Sequence, residues 1–596
     1  MTPVYTVDPP PAGWRGLVST LRRLPSGKAF WLAAPGVLFL LVFLIYPSVQ
    51  LLLLSLIDRS SGAISGGAFT RLVASPVYRQ VLFNTFVIAL QTTACCLLFG
   101  YPLAYWLSNL PSRRRNVVML LILMAFWMSA LVKNFAWLVL LGRNGFIASV
   151  FAYLGVAGGD KLLFHRSTVV FAMAHTLLPL AVVTILPVLG QIDRRLMSSA
   201  STLGAGRAQA FWRIYFPLSM RGVAAAGLLV FVSSLGFFIT PMLLGSPREM
   251  MIGQLIIAQI NEMQNWQFGS ALALVLIVSA LLSCYLYNLV FGLSSIAGAG
   301  SPRPRSPQGS RLRAYGLRLV ARIGKAASQV GAMALHAAPW LARVRWLGIY
   351  AWLLIALLLL PMASIVPMAF TADDFLSFPP HGYSTRWFDV YFSSPLWISA
   401  SLRSLCIALG VALLALVIAS TSALAMRHAK GSGATVIFMA FLLPMIVPSI
   451  VIAIALFYLF TKVSLIATST GIALGHTVMA LPVVFVIVLT TLRGHNWSLD
   501  VAAATLGAKP WKVFRRITLP LIKGGLFAGF ITGFLVSFEE LTVALFIGGG
   551  LITTLPKQLW DDILLQVNPT LAAASVVVMA TIVVLFLLAQ SLRSKH

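Results

Sequence analysis

Twelve long apolar stretches constrain this chain more than any other feature of its sequence. A membrane-spanning helix needs about 20 predominantly apolar residues. Hydrophobic residues make up 59% of the chain and charged residues 10%, against about half and about a quarter in a soluble domain. We therefore predict an all-α polytopic membrane protein with about twelve transmembrane helices, which excludes a soluble enzyme, a nucleic-acid-binding module and a disulfide scaffold. The predicted spans are 31–57, 80–108, 116–141, 167–190, 222–245, 268–292, 347–370, 398–426, 433–460, 468–492, 525–548 and 571–592.

The basic residues are concentrated in alternate loops. The chain has 43 Lys and Arg residues and a net charge of +29. With a cytoplasmic N-terminus, the inside segments carry roughly three times as many Lys and Arg residues as the outside segments, in accord with the positive-inside rule. The charge therefore indicates membrane topology, not a nucleic-acid partner. Both termini are predicted to be cytoplasmic, with 1–30 as the N-terminal tail.

An internal repeat divides the spans into two halves of six, 31–292 and 347–596. Ten positions within 201–218 align with positions within 504–521 at a constant offset of 303, and nine of them are identical, among them the sequence Thr-Leu-Gly-Ala. Two six-span halves share one orientation, so the repeat implies a pseudo-twofold axis along the membrane normal. The segment 293–346 between them is rich in Ser, Pro, Gly and Arg. It is predicted to be a basic cytoplasmic linker, either solvated or lying on the lipid surface near 311–330.

The repeated loops lie between the fourth and fifth spans of each half, on the cytoplasmic side. A glycine, Gly204 or Gly507, permits a turn with positive φ after a short helix. A second helix is expected to follow and to stop at Pro217 or Pro520. Such a helix–turn–helix is suited to docking a cytoplasmic partner.

These loops resemble the EAA-type coupling loop of ABC importer permeases with a MetI-like transmembrane domain. The similarity extends to LGFFITPMLLGSPREMMIGQLI at 235–256 and SFEELTVALFI at 537–547. The first half is similar to the PotB type and the second to the PotC type of spermidine/putrescine importer permeases. The resemblance implies two six-helix MetI-like repeats in the bacterial inner membrane, a homodimeric ABC ATPase on the cytoplasmic side and a periplasmic solute-binding protein.

The resemblance also implies which residues couple transport to ATP hydrolysis. The glutamate that leads the family's loop, six residues before the glycine, is replaced by Ser198 in the first loop and Val501 in the second. The contact with the ATPase must then be apolar, made by the loop backbone, or made by the carboxylate of Asp500. The coupling-loop candidates are Ser198, Ala200, Gly204, Ala205, Pro217, Asp500, Ala503, Gly507, Ala508 and Pro520.

No phosphate-binding loop of the form GxxxxGK[ST] occurs in the chain. ATP and magnesium are therefore expected on the partner ATPase, and no cofactor is predicted here. The four cysteines lie in apolar stretches without metal-site spacing, so no metal site is predicted.

An acidic pair, Glu539 and Glu540, lies within the predicted eleventh span. Ionisable groups inside a span are costly and are functional candidates by default. The pair either faces the translocation path and attracts a cationic solute, or is structural and pairs with Lys133 or Arg403. Because adjacent helical residues project about 100° apart, the two are not expected to share one role.

Outside the membrane, a second group of candidates precedes the last span of each half. By resemblance these residues belong to the periplasmic mouth, and an ordinary solvated loop is the alternative. They are Glu262, Trp266, Trp560, Asp561 and Asp562.

The resemblance implies a permease for a small solute and favours a polyamine such as spermidine or putrescine, or a related organic amine, which the acidic pair suits. Related permeases leave 2-aminoethylphosphonate, opines, ferric iron and thiamine as alternatives. The rival from another class is a secondary transporter driven by an ion gradient, which also favours two six-span halves. A membrane-embedded enzyme fits poorly, because the 14 acidic residues are scattered.

Overall fold

A computed structural model of the chain describes residues 26–57, 62–143, 145–155, 162–291, 346–428 and 432–594. Within these ranges the chain is helical and forms no strand beyond isolated bridges. Most of the predicted N-terminal tail and of the basic linker lies outside the described residues, so both remain predictions.

The described residues of the first half form fourteen α-helices. They are α1 Ser26–Leu40, α2 Tyr46–Leu54, α3 Gly67–Ala74, α4 Pro76–Ser108, α5 Ser112–Trp127, α6 Ala130–Leu140, α7 Phe146–Tyr153, α8 Arg166–Gly190, α9 Arg195–Thr202, α10 Arg207–Ala210, α11 Phe216–Leu235, α12 Ile239–Leu244, α13 Ile252–Ile257 and α14 Trp266–Phe291.

In its described residues the second half repeats this order, except that α15 alone stands in the place of α1 and α2 and no helix corresponds to α7. Its helices are α15 Trp346–Ala369, α16 Arg386–Ser393, α17 Pro395–His428, α18 Ser432–Ile446, α19 Ser449–Lys462, α20 Ser469–Gly494, α21 Ser498–Thr505, α22 Pro510–Val513, α23 Leu519–Phe538, α24 Thr542–Ile547, α25 Leu555–Leu565 and α26 Pro569–Ser594.

Each of the twelve predicted spans has a helical counterpart. Nine helices of the described chain are long and apolar enough to cross a membrane, and two bent helix pairs raise the number to eleven. The twelfth counterpart is the apolar part of α26, Pro569–Leu585. The prediction of a polytopic all-α protein with about twelve spans is confirmed.

Two predicted spans are not continuous helices. The segment 116–141 is bent by 87° between α5 and α6, and 433–460 is bent by 98° between α18 and α19. At the second bend α18 ends at Ile446 and Pro448 directly precedes α19, so Val447 lies outside both helices, as expected because a proline disfavours helix in the residue before it. At the first bend Ser129 is extended without a proline, so the sequence carries no equivalent signal there.

The fifth span of each half also differs from the prediction. Helix α11 ends at Leu235 and α23 ends at Phe538, and each is followed by a short break and a one-turn-and-a-half helix, α12 or α24. Glu539 and Glu540 therefore lie in a helix break, and the prediction that they sit inside a continuous span is wrong.

The prolines of the repeated loops do not end a helix, which corrects a second prediction. A π-turn, Phe211–Tyr215 or Phe514–Thr518, comes just before Pro217 or Pro520, and the helix continues into the span. The next residue donates its N–H to the carbonyl five residues back, as Phe216 does to Phe211. Because an α-helical proline clashes with the carbonyl four residues back, the wider turn makes room for the ring.

The first span of each half packs against the opposite half. Helix α1 packs on α17 and α18, where a Cβ at Gly36 would lie 2.5 Å from the ring of Phe441. Helix α15 packs against α4, α5 and α6, and its Leu357 carbonyl lies 3.2 Å from Nε2 of His175 on α8. Each half therefore packs the first span of the other half against its own helices.

Candidate functional site

A cavity of about 290 Å³ lies between the two halves, where their helices break. It takes its wall from the α5–α6 bend, the break after α11, the α18–α19 bend and the break after α23. Its lining residues are Phe126, Trp127, Ile239, Ser449, Val536, Glu539, Glu540, Leu541 and Thr542.

The cavity lies near the pseudo-twofold axis. Ile239 and Thr542, both in its wall, are related by the offset of 303. Gly236 and Glu539 are related in the same way and each follows the end of its fifth-span helix. A Cβ at Gly236 would lie 2.8 Å from Cβ of Pro448. One half therefore closes tightly at this position, whereas the other presents a carboxylate.

Glu540 stabilises the local backbone. Its Oε1 accepts the N–H of Thr542 at 3.0 Å, and its Oε2 accepts the N–H of Val543 at 2.7 Å. These are N–H groups that a helix start leaves without an intrahelical partner. The same Oε2 lies 3.4 Å from Nε2 of His476, whose Nδ1 lies 2.9 Å from Oγ of Ser537. The carboxylate of Glu540 is thus engaged at the start of α24.

Glu539 has a different environment. It is half-buried against the cavity, and its buried Oε1 accepts no hydrogen bond from any described residue. Lys133 of the first half lies within electrostatic range of it. Arg403, the other cation predicted as a partner, donates instead to the carbonyl of Thr553 at 2.8 Å. The two acids therefore divide into one that holds a helix start and one that is open to the cavity.

None of the five outer candidates belongs to the described wall of the cavity. Trp560 is 3% exposed and packs edge-on against Phe238, with ring centroids 5.8 Å apart. Trp266 packs against two aromatic residues of α19, with centroid distances of 5.2 and 5.6 Å. Both tryptophans therefore join the two halves.

The outer acidic candidates are paired locally or exposed. Asp561 accepts from Nζ of Lys557 at 2.5 Å. Asp562 accepts from Gln558 at 2.9 Å, and burial raises the pKa of its carboxyl. Glu262 is exposed at the end of a π-turn. Of the seven predicted pathway residues, only Glu539 and Glu540 reach the cavity.

The coupling loops have the predicted turn. Gly204 and Gly507 have φ of +83° and +86°. Ala205 donates its N–H to the carbonyl of Ala200, and Ala508 donates to Ala503 in the same way, which forms the Schellman helix ending. The residue before each glycine, Leu203 or Leu506, is 88% exposed. Each loop therefore presents one apolar side chain at its tip.

The carboxylate of Asp500 is turned into its own loop. Its Oδ2 lies 2.6 Å from Nε2 of His495, and its Oδ1 accepts from Thr518 at the π-turn. Ser198 and Val501, at the position of the family's glutamate, are both exposed. The exposed surface of the loops is therefore apolar or uncharged at these positions.

Sequence reasoning missed several residues that shape the site. Phe126, Trp127 and Ser449 line the cavity, but aromatic and small residues in apolar runs carry no signal of their own. Two hydroxyls also hold the segments after the breaks: Thr85 accepts the N–H of Ile252 at 2.8 Å and Ser404 accepts that of Leu555 at 2.7 Å. The repeat contains a signal for these two hydroxyls. Thr85 and Ser404 occupy equivalent positions in the second spans of the two halves, and their partners Ile252 and Leu555 are also equivalent, although the two pairs follow different sequence offsets.

Comparisons with known proteins agree with this architecture. Residues 97–294 and 412–595 each match the model of the family described as binding-protein-dependent transport system inner membrane component. The spermidine/putrescine transport system permease protein PotB of Escherichia coli (strain K12) is 30% identical over 246 residues, which are 40% of this chain and 89% of PotB. PotC of Haemophilus influenzae is 26% identical over 36% of this chain and 84% of its own length.

A solved structure of a bacterial alginate ABC transporter, in complex with a periplasmic protein, is also similar. It is 19% identical, covers 44% of this chain and 92% of its own, and has a TM-score of 0.37.

Proposed function

Since the chain belongs to the family of binding-protein-dependent transport system inner membrane components, we propose that it translocates a polyamine, such as spermidine or putrescine, or a related organic amine. The chain is a multi-pass permease of an ABC importer in the inner membrane, and it combines two MetI-like domains. ATP hydrolysis belongs to a separate subunit, and the solute is delivered by a periplasmic binding protein. The family match sets aside a secondary transporter driven by an ion gradient.

The observation that carries the amine proposal is the position of Glu539. Glu539 lines a cavity between the halves, and its buried Oε1 has no hydrogen-bond donor among the described residues. An ammonium group can donate up to three hydrogen bonds, and charge-assisted bonds to a carboxylate are the strong ones. The relatives named PotB and PotC are permeases of spermidine/putrescine transport systems, which agrees with a cationic solute.

The solute is tested first on the binding protein encoded beside this chain. We expect tight binding of spermidine or putrescine in a calorimetric panel. Preferential binding of 2-aminoethylphosphonate, an opine, ferric iron or thiamine, without an amine response, would contradict the amine proposal and leave the permease assignment intact.

The role of Glu539 is tested by uptake into proteoliposomes that contain the permease and its ATPase, with the binding protein supplied on the outer side. Glu539→Gln removes the charge and keeps the shape, so uptake of the amine should fall at least about tenfold. Asp561→Asn is the matched control, because Asp561 is paired with Lys557 outside the cavity. Equal uptake by the Glu539 variant and the wild type, at equal protein levels, would refute the role.

We also propose that the ATPase is a homodimer with one equivalent groove for each coupling loop. The support is the match between the two loop tips, since Leu203 and Leu506 are equally exposed and precede glycines of nearly equal φ. A mass measurement of the purified complex should give two identical ATPase subunits for each permease chain. Two different ATPase chains would overturn it.

We also propose that both termini lie in the cytoplasm. It rests on the excess of Lys and Arg in the segments then inside. Reporter fusions that are active only in the cytoplasm or only in the periplasm, placed at each terminus, test it. Periplasmic activity at either end would contradict it.

A further inference from the structure

A buried lysine of the first half stands beside the cavity. Lys133 lies in the first turn of α6 and is 2% exposed. Its Nζ lies 3.5 Å from the carbonyl oxygen of Phe126, a residue of the cavity wall. A lysine is almost never this buried without a partner for its charge.

The hydrogen bonding around Lys133 leaves its charge incompletely satisfied. An ammonium has three donors, and the bond to Phe126 is a single long one. Glu539, from the second half, lines the same cavity as Phe126, whose carbonyl Lys133 contacts, and the carboxylate and the ammonium attract each other electrostatically. His175, on α8, is a further titratable neighbour of the lysine. The His175 ring lies against Trp137, with centroids 5.3 Å apart. Glu539 is therefore the acid that can balance the lysine.

Glu540 does not compete for this role. Both of its oxygens accept backbone N–H groups at the start of α24, and the ring beside it belongs to His476. The cavity is therefore lined by one carboxylate, that of Glu539, with an oxygen that has no described hydrogen-bond donor, and the ammonium of Lys133 from the opposite half lies behind its wall.

We propose that Lys133 is the internal counter-ion of Glu539 and determines how many positive charges a solute needs in order to bind. This inference rests on the proposed amine transport. While the cavity is empty, the lysine balances the carboxylate, which avoids the cost of a lone buried charge. An entering ammonium group gains the attraction of Glu539 and meets the repulsion of Lys133.

The two effects favour a solute with more than one ammonium group. A monoamine must place its single charge near both Glu539 and Lys133. A diamine can place its second charge farther from the lysine, where Phe126 and Trp127 offer aromatic faces for cation–π contact. Without the lysine, the carboxylate alone would attract amines of either kind.

The test is equilibrium binding to the complex of permease and ATPase in lipid nanodiscs. The probes are putrescine and n-butylamine, which share a four-carbon chain and differ in one ammonium group. The variants are Lys133→Met, Lys133→Arg, Glu539→Gln and Lys133→Met with Glu539→Gln. Lys462→Met is the matched control, since Lys462 lies at the end of α19, over the ring of Tyr458.

We expect Lys133→Met to bind putrescine about tenfold more tightly and to bind n-butylamine measurably, whereas Lys133→Arg and Lys462→Met retain the wild-type preference. Glu539→Gln and the double variant should bind neither probe. Unchanged affinities in Lys133→Met, with binding lost in Glu539→Gln, would overturn the counter-ion role and leave the proposed function standing. Normal binding by Glu539→Gln would refute both.

Folding of Lys133→Met gives a second readout, because the variant leaves Glu539 without a balancing charge. If it fails to accumulate, the counter-ion role requires the double variant to accumulate, since both charges are then removed together. Failure of the double variant as well would show that Lys133 serves only to pack the core, and would overturn the proposal.

Discussion

Replacing Gly507 should uncouple ATP hydrolysis from transport without unfolding the protein. Its φ of +86° lies in the left-handed region, and a Cβ there would meet no atom within 4 Å. A side chain therefore adds no steric clash and changes only the backbone preference. That preference costs about 1–2 kcal/mol for a residue other than glycine, and a β-branched side chain lies at the upper end.

The magnitude follows from the population of the turn. A cost of about 1.4 kcal/mol corresponds to a tenfold change in an equilibrium. The Schellman bonds from Gly507 to Ala504 and from Ala508 to Ala503, each 3.1 Å, oppose this change. We therefore expect Gly507→Val to lower solute uptake by about three- to tenfold, because Leu506 no longer occupies its position at the loop tip.

The assay compares solute uptake with ATP hydrolysis in proteoliposomes that contain the partner ATPase and binding protein. Gly507→Asn is the matched variant, because asparagine tolerates the left-handed region, and it should retain most of the uptake. Gly494→Ala is the control for a glycine with equally open surroundings and an ordinary φ. Wild-type uptake by Gly507→Val, at normal expression, would refute the assigned role of the turn.

Three further predictions concern other parts of the site. Leu203→Asp and Leu506→Asp should each weaken association with the ATPase by similar amounts, because the two side chains are equally exposed. Co-purification of the permease with the ATPase measures this association, and a loss in only one variant would contradict equivalent docking. Glu540→Ala should lower the free energy of unfolding by about 1–3 kcal/mol, since it leaves two buried N–H groups without an acceptor; an unchanged melting temperature would contradict the assignment. Thr85→Val and Ser404→Ala should each cost about 1–2 kcal/mol for the same reason, to be checked by thermal unfolding in detergent, and a cost in only one half would show that the pair is not equivalent.

Much of the fold was predictable because its signals are local. About 20 apolar residues specify a membrane span whatever lies beside them, so the twelve segments could be counted from the sequence. The turns at Gly204 and Gly507 were predictable for a similar reason, since glycine tolerates positive φ where other residues do not. The repeat identifies the two loops as equivalent from the sequence alone.

The errors occurred where packing between helices decides the backbone. No proline marks the bend at Ser129 in the sequence, and the breaks after Leu235 and Phe538 occur within apolar sequence. The π-turns before Pro217 and Pro520 resolve the proline clash within the helix, whereas sequence reasoning expects the helix to end. In each case the local sequence is compatible with more than one backbone conformation.

The sequence by itself determined the class of protein, the approximate number of spans, the duplication and the position of the glycine turns, because hydrophobicity and glycine conformation act over a few neighbouring residues. Only the tertiary structure decided the roles of Glu539 and Glu540, which are adjacent in the chain and identical in chemistry. One is engaged by the N–H groups of α24 and the other faces a cavity near Lys133. The hydrogen bonds of Glu540 are with neighbouring residues, whereas the cavity wall opposite Glu539 includes Phe126 and Trp127, which lie more than 400 positions away in sequence and are brought near it when the two halves pack together.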